Sequence, residues 1–147
     1  MLSGQLTTFD PKSLIVIFGA RALTSFAEGT FLTISRNDDM FKEYIGSSGE
    51  QARSKSNNRS AIVKLTLIQT SDDNDYLSSV AIMDEVSNNG ILPLIIKDLI
   101  GTSGYFSKWA YAKRIADASF GKEIQGREWN IFCASMNMFD GGNVPNI

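Results

Sequence analysis

Histidine does not occur anywhere in this 147-residue chain. Its absence removes the commonest general base at neutral pH, the Ser/His and Cys/His nucleophile pairs, and the commonest metal ligand. Cysteine occurs once, at Cys133, so the monomer forms no internal disulfide and no thiolate zinc cluster. It sits in the apolar stretch Trp129-Asn130-Ile131-Phe132-Cys133-Ala134, where a free cysteine reads as a small core residue. Charge of one sign is missing too. With 14 basic and 16 acidic side chains the net charge is −2, too small for a whole-molecule field that draws the protein onto DNA phosphates or an anionic membrane. No apolar run approaches the roughly 20 residues of a membrane-spanning helix. The opening Met1-Leu2-Ser3-Gly4-Gln5 has neither a basic n-region nor an apolar h-region, so the expectation is a protein made in the cytoplasm without a signal peptide or membrane anchor.

What is present is enough to fold. Hydrophobic residues make up 43% and charged residues 20%, with nine Phe, which is not a disordered composition. Ser13 to Phe18 is a short β-branched run after Asp10-Pro11 and reads as a strand. Gly19-Ala20-Arg21 then turns the chain into a hairpin ending near Phe26. Thr30 to Arg36 alternates, with Leu32 and Ile34 on one face and Thr33 and Ser35 on the other. Ser60 to Thr70 is the clearest strand, apolar on Ala61, Val63, Leu65 and Leu67 and partly apolar on its other face, which predicts a position between packed layers.

Ser71-Asp72-Asp73-Asn74-Asp75 opens the one predicted helix, because short polar side chains cap free N–H groups and carboxylates suit the positive end of the dipole. Tyr76, Val80, Met83 and Val86 give its apolar stripe, and Asn88-Asn89-Gly90 its stop. Strands are predicted over Ile91–Leu99, Tyr105–Ile115 and Arg127–Met138. A helical alternative stays open for 105–118, where Phe106, Trp109 and Ala110 also fit a 3.6-residue period. Residues 139–147 read as a flexible or partner-ordered end. The order of β-run, helix and β-run predicts a mainly β fold, an antiparallel sandwich or barrel with one flanking helix, in a single domain over 1–147.

Between Asn37 and Arg59 the chain turns polar for more than twenty residues, broken only by Phe41-Lys42-Glu43-Tyr44-Ile45. Such excursions are uncommon in compact domains and are often either binding devices or disordered. The sequence predicts a protruding polar hairpin over about 37–59. Other constellations carry less chemistry. Asp72, Asp73 and Asp75 lack the spacing of a calcium loop and read as helix caps. Asp38-Asp39 and Asp84-Glu85 are adjacent pairs whose side chains diverge. Arg53, Lys55 and Arg59 lack interleaved aromatics for stacking bases. Gly101-Thr102-Ser103-Gly104 lacks the Lys-Ser/Thr of a phosphate loop. No catalytic residue, cofactor or metal is expected.

Several stretches in order resemble a family of myophage tail tube proteins. They are Phe9-Asp10-Pro11-Lys12, Phe26-Ala27-Glu28-Gly29-Thr30-Phe31, Asn57-Asn58-Arg59-Ser60, Leu65-Thr66-Leu67-Ile68-Gln69-Thr70-Ser71, and Phe120-Gly121-Lys122-Glu123 with Gly126-Arg127-Glu128-Trp129. Each motif is weak alone, but together they span nearly the whole chain. The resemblance implies a fold similar to type VI secretion tube proteins and a structural role in the virion tail, assembled in the host cytoplasm. It further implies hexameric rings whose sheets join into an inner barrel and stack into a tube that conducts DNA. Implied partners are other copies of the chain, the tail sheath protein, the baseplate and tail-terminator proteins, and, transiently in the lumen, the tape measure protein and DNA. On that reading Phe41, Tyr44 and Ile45 anchor the hairpin on the next ring, with Arg53 and Arg59 among the charged neighbours. Two other classes compete: the tube of a phage-like bacteriocin or type VI system, and a small β-sandwich binding module presenting Tyr105, Trp109 and Tyr111.

Overall fold

A computed structural model describes residues 6–142, 145 and 146; the expectation about Met1 to Gln5 lies outside them. Alternating apolar residues become a sheet in the order β3-β2-β8-β9-β10-β7-β4, every neighbouring pair antiparallel. The strands are β2 (Leu14–Phe18), β3 (Arg21–Leu23), β4 (Leu32–Arg36), β7 (Ala61–Ile68), β8 (Leu92–Asp98), β9 (Gly104–Ala112) and β10 (Gly126–Cys133). A further strand, β11 (Met136–Phe139), also pairs with β9. Away from this sheet, β1 (Leu6–Thr7) pairs with β12 (Pro145–Asn146), and β5 (Phe41–Ile45) pairs with β6 (Gln51–Lys55). Among the described residues the one α-helix, α1, covers Asp73–Ser87. The fold is thus mainly antiparallel β with one flanking helix, as the sequence predicts.

Strand register explains the core. Leu65 lies opposite both Leu32 and Trp129, Val63 opposite Ile34 and Ile131, and Val16 opposite Leu23 and Ile96. Because strand side chains alternate, these partners all point to one side, where they bury with Phe18, Leu94, Leu77 and Val80. The turn between β2 and β3 needs Gly19, whose φ is +66° and where a Cβ would stand 2.7 Å from the Tyr76 hydroxyl. That hydroxyl donates to the Phe18 carbonyl at 2.8 Å and ties α1 to β2.

The strand expected over Tyr105–Ile115 forms, ending at Ala112, and the helical alternative for 105–118 falls. Other expectations change. The run Arg127–Met138 is interrupted at Ala134-Ser135, because the Ala134 N–H donates to the Trp109 carbonyl and the Met136 N–H to the Arg59 carbonyl, redirecting the chain. The helix stripe also divides. Val80 is buried and Tyr76 half-buried, but Met83 and Val86 face outward, and Leu77 with Asn74 completes the inward face. The predicted stop holds: Asn88 takes φ 60°, its N–H bonds the Asp84 carbonyl at 2.8 Å, and the Gly90 N–H bonds the Asp84 carboxylate. The C-terminal segment is tied rather than loose in its described part, since the Gly142 carbonyl accepts from the Thr102 N–H at 2.9 Å and 145–146 pair with β1. Residues 143, 144 and 147 of that segment lie outside the described residues.

Candidate assembly surfaces

The β5–β6 hairpin stands on its own ladder, paired with no other strand among the described residues. Gly46 to Gly49 form its tip, where the Gly46 N–H donates to the Glu50 carbonyl at 2.7 Å and Gly49 takes φ +86°. At its base the Ser56 N–H bonds the Met40 carbonyl, and the Asn58 amide donates to Asp38 at 2.8 Å. Alternation separates the sequence-predicted anchors. Phe41, Ile45 and Arg53 share one face, with the Arg53 guanidinium 3.9 Å above the Phe41 ring. Tyr44 projects from the opposite face, across from Ala52. Tyr44 is 70% exposed and Ile45 68%.

Arg59 stands outside the hairpin. Its guanidinium donates to Asn137 on β11 at 2.6 Å, so it braces the sheet end of the connection. The even spacing of Phe41 and Ile45, with Tyr44 odd between them, was the sequence signal for two faces. The three aromatics of the binding-module alternative do not form one exposed patch: Tyr111 packs against Phe132 at 5.4 Å, Tyr105 is half-buried and bonded to Asp140, and only Trp109 is well exposed.

Groups with chemical potential are absorbed by structure. Asp73 is buried; it accepts from Arg21 Nε at 2.9 Å and from the Thr24 and Ser25 N–H groups at 2.9 and 3.3 Å. Burial acts against its charge, but the Thr24 N–H, Arg21 and the Ser25 N–H outweigh it and hold the carboxyl below its ordinary range. Asn74, also buried, gives its amide hydrogens to the Ile68 and Ser71 carbonyls and accepts from the Trp129 indole at 3.0 Å. Cys133 is buried, and loss of solvent pushes its thiol up to about 12. It should therefore resist maleimide at pH 8 in the folded protein and react fully in denaturant; rapid labelling of native protein would contradict the packing. Among the described residues no cluster of acids and Cys133 is arranged to hold a metal ion. Nor is any helix among them long and apolar enough to cross a membrane.

No protein-family model matches the chain. Over 150 residues it is 30% identical to "Structural protein ORF10" of Pseudomonas phage KPP10, covering 97% of this chain and 87% of that protein. The chain belongs to this family of phage structural proteins. Its fold recurs in solved structures of contractile assemblies. The tube-terminating cap of the anti-feeding prophage superposes with a TM-score of 0.59 at 12% identity, covering 95% of each chain. The sheath/tube terminator of an extracellular contractile injection system, in its extended state, gives 0.58 at 14% identity over 90% of this chain and 97% of that one. At those identities the likeness is one of fold, and the ORF10 relationship carries the family.

Proposed function

We propose that this phage structural protein is a non-enzymatic, ring-forming subunit of the inner tail tube of a contractile-tailed phage. The whole chain acts as one tail domain. Hexameric rings stack into a hollow tube that the sheath drives through the host envelope and that conducts DNA. Baseplate and terminator proteins bound its ends, and the tape measure protein occupies its lumen before DNA does.

The observation that carries the reading is the self-paired β5–β6 hairpin. A lone two-stranded ribbon is marginal in water, and this one holds Tyr44 and Ile45 out to solvent with no strand beside it among the described residues. A neighbouring ring supplies the missing cover. The near-neutral composition suits a lumen in which DNA slides, because every phosphate neutralised by a fixed basic side chain would hold the strand through counterion release. A second reading, the terminating ring of the tube, is favoured by the two structural likenesses, both of which are terminators.

Gold-labelled antibody on intact virions separates the readings. Label along the tail supports the tube, label confined to one tail end supports the terminator, and particles without label on the tail refute both. The hairpin gives a second test. The double variant Phe41→Ala, Tyr44→Ala should unfold within about 1 kcal/mol of the parent, mainly for the lost Phe41–Arg53 contact, yet fail to stack rings. The single variants tell which hairpin face makes the contact, and normal stacking by the double variant removes the hairpin from the interface.

A further inference from the structure

The outer face of the main sheet is unevenly apolar. Across β3, β2, β8 and β9, register places Ala22, Ile17, Ile95 and Phe106 in one row. Trp109, 57% exposed, adds to its β9 side. On β11 this row ends at Asn137, and toward the other edge the outer face alternates a polar row, Asn130, Lys64 and Thr33, with a half-buried apolar one, Tyr111, Phe132 and Ile62, closed by Ser35. A solvated antiparallel face is ordinarily polar throughout. The apolar half is bordered by exposed Lys97 and Lys108.

A second unpartnered surface lies on α1. Helical spacing sets Asp75, Ser79, Ile82 and Val86 in one row, with Met83 beside it, on the side opposite Leu77 and Val80. Ile82 and Met83 are exposed and Val86 is 81% exposed. Asp75 and Glu85 are the acids exposed on the helix, Asp73 and Asp84 being taken up by Arg21 and the Gly90 N–H, and it carries no Lys or Arg. The two surfaces are complementary in kind, an acid-bordered apolar stripe and a lysine-bordered apolar face. They also agree in size. The stripe from Asp75 to Val86 is about 16 Å long at 1.5 Å per residue, and the row across four strands is about 14 Å at the usual strand spacing.

Resting on the ring-forming reading, we propose that the outward stripe of α1 docks on the β3-β2-β8-β9 outer face of a second copy and is the contact that closes the ring. The occupant is another copy of this chain because both halves of the pair belong to it and cannot meet within it. Helix α1 buries Leu77 and Val80 in the core on the inner side of the sheet, whereas Ile17, Ile95 and Phe106 point outward. Contact between two different surfaces of one chain is heterologous, and such a contact builds a ring when its rotation closes.

The test uses Val86→Cys and Ile95→Cys, made singly and together, with a short bis-maleimide that the buried Cys133 does not meet. The readout is denaturing electrophoresis of purified protein at high concentration and of tails assembled in cells producing each variant. The double variant should give a ladder of covalent multimers ending at one ring, and mixed single variants should give dimers. Each single variant alone should stay monomeric. A covalent dimer from Val86→Cys alone would mean helix-to-helix contact and overturn the proposal. Tails that contain the chain but show no bridge between the two positions overturn this contact while leaving the ring reading intact. If neither tails nor purified rings contain the chain, both fall.

Discussion

Replacing Trp129 with alanine is expected to cost about 4 kcal/mol and lower the melting temperature by roughly 12 °C, at the few degrees per kcal/mol usual for this chain length. Trp129 is 1% exposed, lies opposite Leu65 on β7, and sends its indole N–H to the Asn74 side chain at 3.0 Å. Truncation opens a cavity where three elements meet and leaves the Asn74 oxygen without its donor. The two losses separate experimentally. Trp129→Phe keeps most of the volume and should cost about 2 kcal/mol, mainly for the orphaned acceptor. Asn74→Ala should cost more than Trp129→Phe, because the same amide also holds the Ile68 and Ser71 carbonyls where β7 passes into α1. Urea unfolding of the three variants fixes the order. If Trp129→Phe proved as damaging as Trp129→Ala, hydrogen bonding rather than packing would dominate the site.

The same residues show what the sequence makes legible. Alternation over Ala61–Ile68 and Leu92–Asp98 is local, so those strands could be read directly, as could the left-handed helix stop at Asn88. Asp73 was legible only as a carboxylate suited to a helix start. Its partner Arg21 lies 52 residues earlier, and no local pattern joins them. Asn74 looked like one more cap, whereas its role depends on an indole 55 residues later. The helix stripe misled for another reason: a 3.6-residue period shows that apolar residues share a side, not which of two apolar sides meets the core. Polar Asn74 faces inward because Trp129 needs an acceptor, and apolar Ile82, Met83 and Val86 are left outside. The hairpin was visible as a polar excursion, and its odd spacing sets Tyr44 apart from Phe41 and Ile45, but the partners across the ladder, Ala52 beside Tyr44 and Arg53 near Phe41, required its pairing register. Local rules supplied the elements, and long-range polar pairing fixed how they meet.

Asp73→Asn is expected to destabilise the protein at neutral pH by about 2 kcal/mol, the scale of hydrogen bonds to a buried charged acceptor. The native carboxylate accepts from Arg21, Thr24 and Ser25 and clamps the end of β3 to the start of α1. An amide offers only one oxygen acceptor, and its NH2 group would face donors. Arg21 is partly exposed, so water takes up some of its loss and keeps the cost below that of a fully buried pair. The effect should depend on pH with a definite sign. The folded carboxyl lies below the ordinary 3.8, so the unfolded chain binds the proton first as pH falls. Its contribution is complete above the unfolded value and is lost as pH drops through the folded one. The difference in unfolding free energy between parent and Asp73→Asn should therefore narrow as pH is lowered from about 5 to about 2. Urea titrations across that range measure it. A gap that stays constant would mean that the carboxylate's charge contributes nothing and that the clamp is one of shape alone.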